Sequence, residues 1–284
     1  MDLPPFSVWL HQIDWSALLI VALIFVPLEH LIPNRAAQKT LRKGWLNDVF
    51  YLIFNAFPIR VGFLVALLAT MALSRAVVPD SLQAWTHGLP LLVQVVAVVV
   101  IADLGFYAAH RTFHAVPFLW RFHSVHHSIE EMDWLAAHRV HPVDQIVTMS
   151  ASLMPVYFLG FSPEAIAVYS VIYHWQSLLI HSNVKLDFGP LKWLFASPQF
   201  HHWHHAEEKW AYDKNFAGQL PVIDKLLGTY HMPDRMPGAY GCSDPVPPLY
   251  HQQMIYPFLS PDMAEGKAAA RKETAGPPQP SHNA

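Results

Sequence analysis

Residues 110–127 open with His110-Arg-Thr-Phe-His114 and close with His123-Ser-Val-His126-His127. On a helix, positions i, i+3 and i+4 share one face. His110 and His114 therefore project together, and His123, His126 and His127 form a second set. Downstream, His201-His202-Trp203-His204-His205 supplies a third, with His201, His204 and His205 in register. Reading that box one residue later leaves His202 without a second adjacent His, because position 206 is Ala. Of 19 histidines in the chain, 13 lie between His110 and His205. Neutral imidazoles packed together gain little unless a cation binds them. Eight in three same-face sets exceed what one ion uses, so the pattern asks for two metals. The scattered His11, His30, His87, His231, His251 and His282 read as ordinary hydrogen-bonded residues.

Working outward, the composition is 53% hydrophobic and only 14% charged, with a mean hydropathy of +0.23. This is too apolar for an ordinary soluble domain and indicates an integral membrane protein. A net charge of -3 without a basic aromatic patch argues against nucleic acid as a partner. Cys242 is the single cysteine, which excludes an internal disulfide and an iron–sulfur cluster held by four thiolates. Any metal must be held by nitrogen and oxygen. Residues 1–15 lack the basic start of a secretory signal, so the first apolar segment is expected to stay in the protein.

Three spans are expected before the first histidine box ends: Ser16–Leu31, Val49–Leu73 and Leu89–Ala109. Asn55 and Arg60 in the second are expected to face protein. Basic residues count zero before residue 16, four between spans one and two, one between spans two and three, and three in the segment after span three. That bias puts the N-terminus outside and the histidine boxes, with the active site, in the cytoplasm. Ile146–Phe161 and Ala165–Ile180 are apolar stretches of about 24 Å each as helices, short for upright crossings. Because the His110 and His201 boxes must meet on one side, the pair is expected to be a hairpin that spans twice or dips in and returns. The expected fold is thus all-α: an integral membrane helical bundle of three spans plus a helical hairpin, bearing a cytoplasmic histidine-rich helical cap. Residues 1–260 form a single domain and 261–284 a disordered tail.

Asp103, Tyr107, His110 and His114 follow one helical face at spacings of four, three and four. An ionisable residue inside an apolar span is costly and has a partner, so Asp103 is expected to orient a ligand imidazole from behind. Asp144 and Tyr107 are candidates for the same role. Asp103, Asp133 and Asp144 are acids available to offset the charge of metals held by neutral ligands. His138 and His141, at i and i+3, are further candidate ligands. His174, Trp175 and Trp203 are candidates for a lipid path, with aromatic packing the plainer reading for the two tryptophans. Imidazole suits zinc, copper, iron and nickel alike, so ligand type alone does not name the metal.

Taken together, His-x3-His, His-x2-His-His and a later His-x2-His-His resemble the fatty acid hydroxylase / sterol desaturase superfamily of membrane-bound histidine-box di-iron oxygenases. The likeness extends to Ala137-His138-Arg139-Val140-His141-Pro142-Val143-Asp144, to Ile180-His181-Ser182-Asn183, and to the closing elements Asp213–Gly218 and Asp224–Tyr230, covering about residues 20–232. One departure is Pro221-Val222-Ile223, where the family often carries an aromatic. The resemblance implies two non-haem iron ions, for which zinc substitutes in a purified protein. Their implied ligands are His110, His114, His123, His126, His127, His201, His204 and His205, with His181 a ninth and O2 as co-substrate. It implies an oxidoreductase that hydroxylates a C–H bond of a lipid, fatty acyl or sterol-like. The alternatives are a lipid or sterol desaturase at the same site and, from another class, a non-catalytic metal-binding membrane protein or transporter. No glycine fingerprint or haem module is present, so the electrons are expected from a separate ferredoxin or cytochrome with its reductase.

Overall fold

A computed structural model describes residues 15–259, so the expected tail at 261–284 lies outside the described residues. Among the described residues there are helices and two isolated β-bridges but no strand. The helices are α1 (Trp15–Leu31), α2 (Trp45–Phe54), α3 (Ala56–Val77), α4 (Asp80–His87), α5 (Leu91–Ala115), α6 (Pro117–His127), α7 (Pro142–Phe158), α8 (Pro163–His181), α9 (Pro198–His204), α10 (Pro221–Leu227) and α11 (Tyr250–Ile255). Five of them, α6 to α10, begin on a proline. Its fixed φ suits the first helical turn, where its missing N–H would be unpaired anyway. Ser162 and Ser197 cap α8 and α9 by accepting from Ala165 N and Phe200 N.

Among the described residues two helices, α3 and α5, are long and apolar enough to cross a membrane. No residue in the most apolar stretch of α3 is buried, and Leu64, Val65 and Leu68 are more than half exposed. An apolar helix left uncovered in this way is suited to lipid. α5 is the central strut. α7 packs between α3 and α5, and α8 packs on α5, around a core of Val98, Ala102, Leu153, Val156 and Tyr169. Gly105 permits the α5–α7 contact: a Cβ there would sit 2.0 Å from the Ala151 carbonyl oxygen. Both legs of the expected hairpin are present as α7 and α8, and each packs chiefly on α5.

The second expected span, Val49–Leu73, is broken at Asn55 into α2 and α3. Pro58 is the cause, since it has no N–H to give to the Phe54 carbonyl four residues back. Asn55 Nδ2 donates to Val140 O at 2.6 Å and Asn55 Oδ1 accepts from Tyr250 at 3.1 Å, as expected of a residue facing protein. Arg60 lies at an exposed position of α3. The third expected span runs six residues further than Ala109, to Ala115, so His110 and His114 ride on the same helix as the apolar segment.

Candidate metal centre

Four segments deliver the imidazoles. The last turns of α5 carry His110 and His114, and the end of α6 carries His123, His126 and His127. The last residue of α8 is His181, and α9 with its C-cap carries His201, His204 and His205. They meet as two clusters. His110, His114, His123, His127 and His204 form one; His126, His181, His201 and His205 form the other. Within each, the candidate ligand nitrogens all lie within 4.8 Å of one another. The two clusters abut, with the His127 and His205 rings stacked at 4.6 Å and the His204 and His201 rings stacked at 5.4 Å.

The protonation of these rings is fixed from behind. Nδ1 donates to a carbonyl in His110 (Phe216, 2.7 Å), His126 (Arg139, 3.0 Å), His181 (Ser177, 2.7 Å) and His204 (Lys214, 2.7 Å). It faces a carboxylate in His123 (Asp144 Oδ2, 2.7 Å) and His114 (Asp213 Oδ1, 3.1 Å). A carbonyl only accepts, so the proton sits on Nδ1 and Nε2 presents a lone pair. Two of those Nε2 atoms, in His126 and His181, point at one another at 3.1 Å, and His110 Nε2 meets that of His123 at 2.9 Å. Two facing lone pairs repel unless a cation lies between them. A separation near 3 Å is also what two imidazoles leave when both reach one ion at about 2.1 Å. His114 Nε2, buried and without a hydrogen-bond partner, completes the same arrangement. The residues present therefore fit a pair of metal ions. Burial first, and neighbouring imidazoles second, hold His127, His201 and His205 well below the ordinary histidine range, which keeps them neutral and ready to bind.

All nine histidines implied by the resemblance fall in these two clusters, whereas His138 and His141 fall in neither. His141 N-caps α7 by accepting from Val143 N and directs Nε2 to Met254 O. His138 ends a 3-10 turn and lines a cavity with His174. His202 is buried and hydrogen-bonds Tyr240 through Nδ1.

The acids divide differently from expectation. Asp144 does contact an imidazole. Asp103 touches none: it accepts from Gly218 N, Gln219 N and Leu220 N at 2.7–3.0 Å, and so steadies the loop whose Phe216 carbonyl holds His110. Tyr107 bonds Thr229 and Arg111. Asp133 is paired with Arg42 at 2.5 Å, and its pKa is raised by burial. Arg42 also meets Asp48, which in turn binds Arg139, the residue whose carbonyl holds His126.

Sequence reasoning placed 213–218 in the family likeness but missed the role of the loop 213–216 behind the rings. It gives one side chain and two carbonyls to three rings of the first cluster. Its signal is Asp213-Lys-Asn215, since among the described residues Asp213 and Asn215 are the two non-glycines with positive φ, at 57° and 58°. Asp and Asn tolerate that left-handed region best. The hydrogen bond from His114 pulls the Asp213 carboxyl below its ordinary pKa.

A cavity of about 320 Å³ reaches both clusters, with His110, His123, His126, His181 and His201 in its wall. It extends past Leu52, Ile59, Met149 and Phe106 between α2, α3, α5 and α7. Trp175 and Trp203, expected along such a path, do not line it. Trp175 stacks on Phe25, and Trp203 is fully buried with its indole N–H on Arg235 O. A second cavity of about 290 Å³ meets the first cluster at His114, His127 and His204.

A sequence model for the fatty acid hydroxylase family matches residues 95–229, which contain every histidine of both clusters. Ornithine lipid hydroxylase of Rhizobium tropici is 28% identical over 254 residues, 88% of this chain and 76% of that protein. Human alkylglycerol monooxygenase is 33% identical over 51% of this chain, but the chain spans only 32% of its length. Rat cholesterol 25-hydroxylase is 27% identical over 54% of this chain and 53% of its own. No solved structure matches. The segment that carries the histidine boxes and both imidazole clusters, residues 95–229, thus matches the fatty acid hydroxylase family.

Proposed function

We propose that the protein is a membrane-bound di-iron oxygenase that hydroxylates an unactivated C–H bond of a lipid. The observation that carries this reading is the cavity that opens at one end on both all-imidazole clusters and continues between apolar helices. The relatives are named as hydroxylases and monooxygenases of lipids, which favours hydroxylation over desaturation at this site.

His110, His114, His123, His127 and His204 hold one iron, and His126, His181, His201 and His205 the other. When bound there, a reduced iron pair supplies dioxygen activation and the oxidising power for hydrogen abstraction. The chain's own part is positional. Asp144 and Asp213 fix the His123 and His114 rings, and the carbonyls of Phe216, Arg139, Ser177 and Lys214 fix four more, so these six rings need not reorient as charge changes at the metals. Leu52, Ile59, Met149 and Phe106 offer an acyl or sterol-like chain an apolar wall and keep bulk water from the reacting carbon. Which carbon is presented decides the product, within about an ångström.

In this reading α1, α3 and α5 are the three spans, α7 and α8 the hairpin, and the histidine-bearing half faces the cytoplasm, where a ferredoxin or cytochrome with its reductase delivers electrons. Its test is oxygen consumption by the iron-loaded chain in vesicles, with one labelled oxygen atom from O2 recovered in lipid. Uptake that requires reductant and lipid together is expected. Absence of both uptake and label in a reduced, iron-loaded preparation refutes the proposal.

A further inference from the structure

The loop 216–220 makes an unusual set of hydrogen bonds. Five successive backbone N–H groups are taken by two buried carboxylates: Phe216 and Ala217 by Asp224, and Gly218, Gln219 and Leu220 by Asp103. Water ordinarily serves loop amides, so a loop that consumes two buried acids for this purpose is placed where water is scarce. Its position on α5 agrees. Asp103 lies six residues before Ala109, the last residue of the apolar stretch of α5, hence about 9 Å below that end. The segment that follows, α10, packs on the same part of α5 through Tyr107, Phe216 and Ile223.

What lies outside this loop is apolar and uncovered. Leu226 is 80% exposed, and Leu191, Leu194, Phe195 and Leu227 are about half exposed. The 3-10 turn Gly189–Trp193 packs against α10 and brings these residues to one flank. Lys225 Nζ lies 3.7 Å and Lys192 Nζ 5.6 Å from the centre of the Trp193 ring. Leucines bordered by a tryptophan and lysines form the pattern of a membrane–water boundary, with the cations at the height of lipid phosphates.

We propose that this flank, residues 189–195 with 216–228, is seated in the bilayer, its leucines among acyl chains and Lys192 and Lys225 against anionic headgroups. The partner is phospholipid, and the surface is continuous with the lipid-facing side of α5, where Leu104 is 46% exposed. Asp103 then acts as the acceptor that lets irregular backbone enter the membrane, which accounts for a carboxylate within an apolar span that contacts no imidazole. The histidine clusters are thereby drawn down to the depth of a lipid chain instead of standing above it. The inference rests on α5 being a membrane span.

The test uses the full chain with Cys242→Ala, reconstituted in vesicles of phosphatidylcholine and phosphatidylglycerol. Single cysteines Leu194→Cys and Leu226→Cys carry a nitroxide, with Leu104→Cys as the span reference and Lys209→Cys, on the exposed polar side, as the aqueous one. Collision rates with O2 and with a water-soluble nickel chelate are compared. At positions 194 and 226 the ratio of O2 to nickel collisions is expected to approach that at 104 and to exceed that at 209 several-fold. A ratio equal to that at 209 overturns the proposal while leaving the span intact if 104 still reports lipid. If 104 also reports water, the span and the proposal fall together. Spin–spin broadening at 226 that disappears on dilution with unlabelled chain assigns the flank to a second copy and equally overturns it.

Discussion

Asp144 and Asp103 are both buried carboxylates in apolar helices, yet they act on different targets and their amide variants separate the two roles. Asp144→Asn keeps the shape but puts a weaker acceptor behind His123 Nδ1. Loss of such a partner costs about 10–100-fold in metal affinity, and we expect that loss, measured by competition with a chelator, with little change in thermal midpoint. Asp103→Asn leaves every imidazole contact in place and weakens three backbone hydrogen bonds. Each charge-assisted bond contributes about 1.5–3 kcal/mol, so a lowered thermal midpoint and faster proteolysis within 213–220 are expected, with metal affinity affected less. Equal effects of the two variants on affinity would contradict this division. All nine clustered histidines were readable from spacing together with family likeness, because a helix places i, i+3 and i+4 together whatever its surroundings. Of the acceptors behind them only Asp144 was readable, since four are main-chain carbonyls that any residue type supplies. Asp103 was read as a partner of an imidazole because helical register records which face a residue occupies and not what lies opposite.

At the scale of elements, the clusters depend on where α5, α7 and residues 133–139 are held. Gly105→Val places side-chain carbon against the Ala151 carbonyl, where even a single Cβ would be 2.0 Å away, so α5 and α7 must separate. We expect a lower thermal midpoint and loss of metal from the first cluster, which α5 and Asp144 of α7 build together. Asp48→Ala tests the second cluster. It leaves Arg42 and Arg139 buried without the carboxylate that both contact, and breaking a buried ion pair from one side costs about 3–5 kcal/mol. Because the Arg139 carbonyl holds His126, that variant should also weaken metal binding at the second cluster; full retention there with a lowered midpoint would reduce Asp48 to a purely structural part. The apolar segments gave the elements of the base, but the break before α3 depended on a single proline, Pro58, within an otherwise continuous apolar run. Length and hydropathy do not register one missing N–H.

For the molecule as a whole, the clustered imidazoles set the response to pH. Folding keeps His127, His201 and His205 neutral, chiefly by burial. Below the ordinary histidine value of about 6.5, the unfolded chain binds protons that the folded chain refuses. Stability is therefore full above that pH and falls as pH drops through it. Protons also compete directly for the ligand nitrogens. Metal retention and thermal midpoint should both decline as pH falls below about 6.5, read by metal analysis and calorimetry on the same samples; a flat profile down to pH 5 would contradict neutral, desolvated clusters. The central claim, that nine imidazoles form two adjoining metal sites of which neither is redundant, is tested most directly by counting iron. The anaerobically loaded full chain should carry two irons. His114→Ala and His181→Ala, one in each cluster, should each lower the count to about one, with the remaining ion retained by the other cluster. A wild-type count of one, or a variant in either cluster that still holds two, would contradict it.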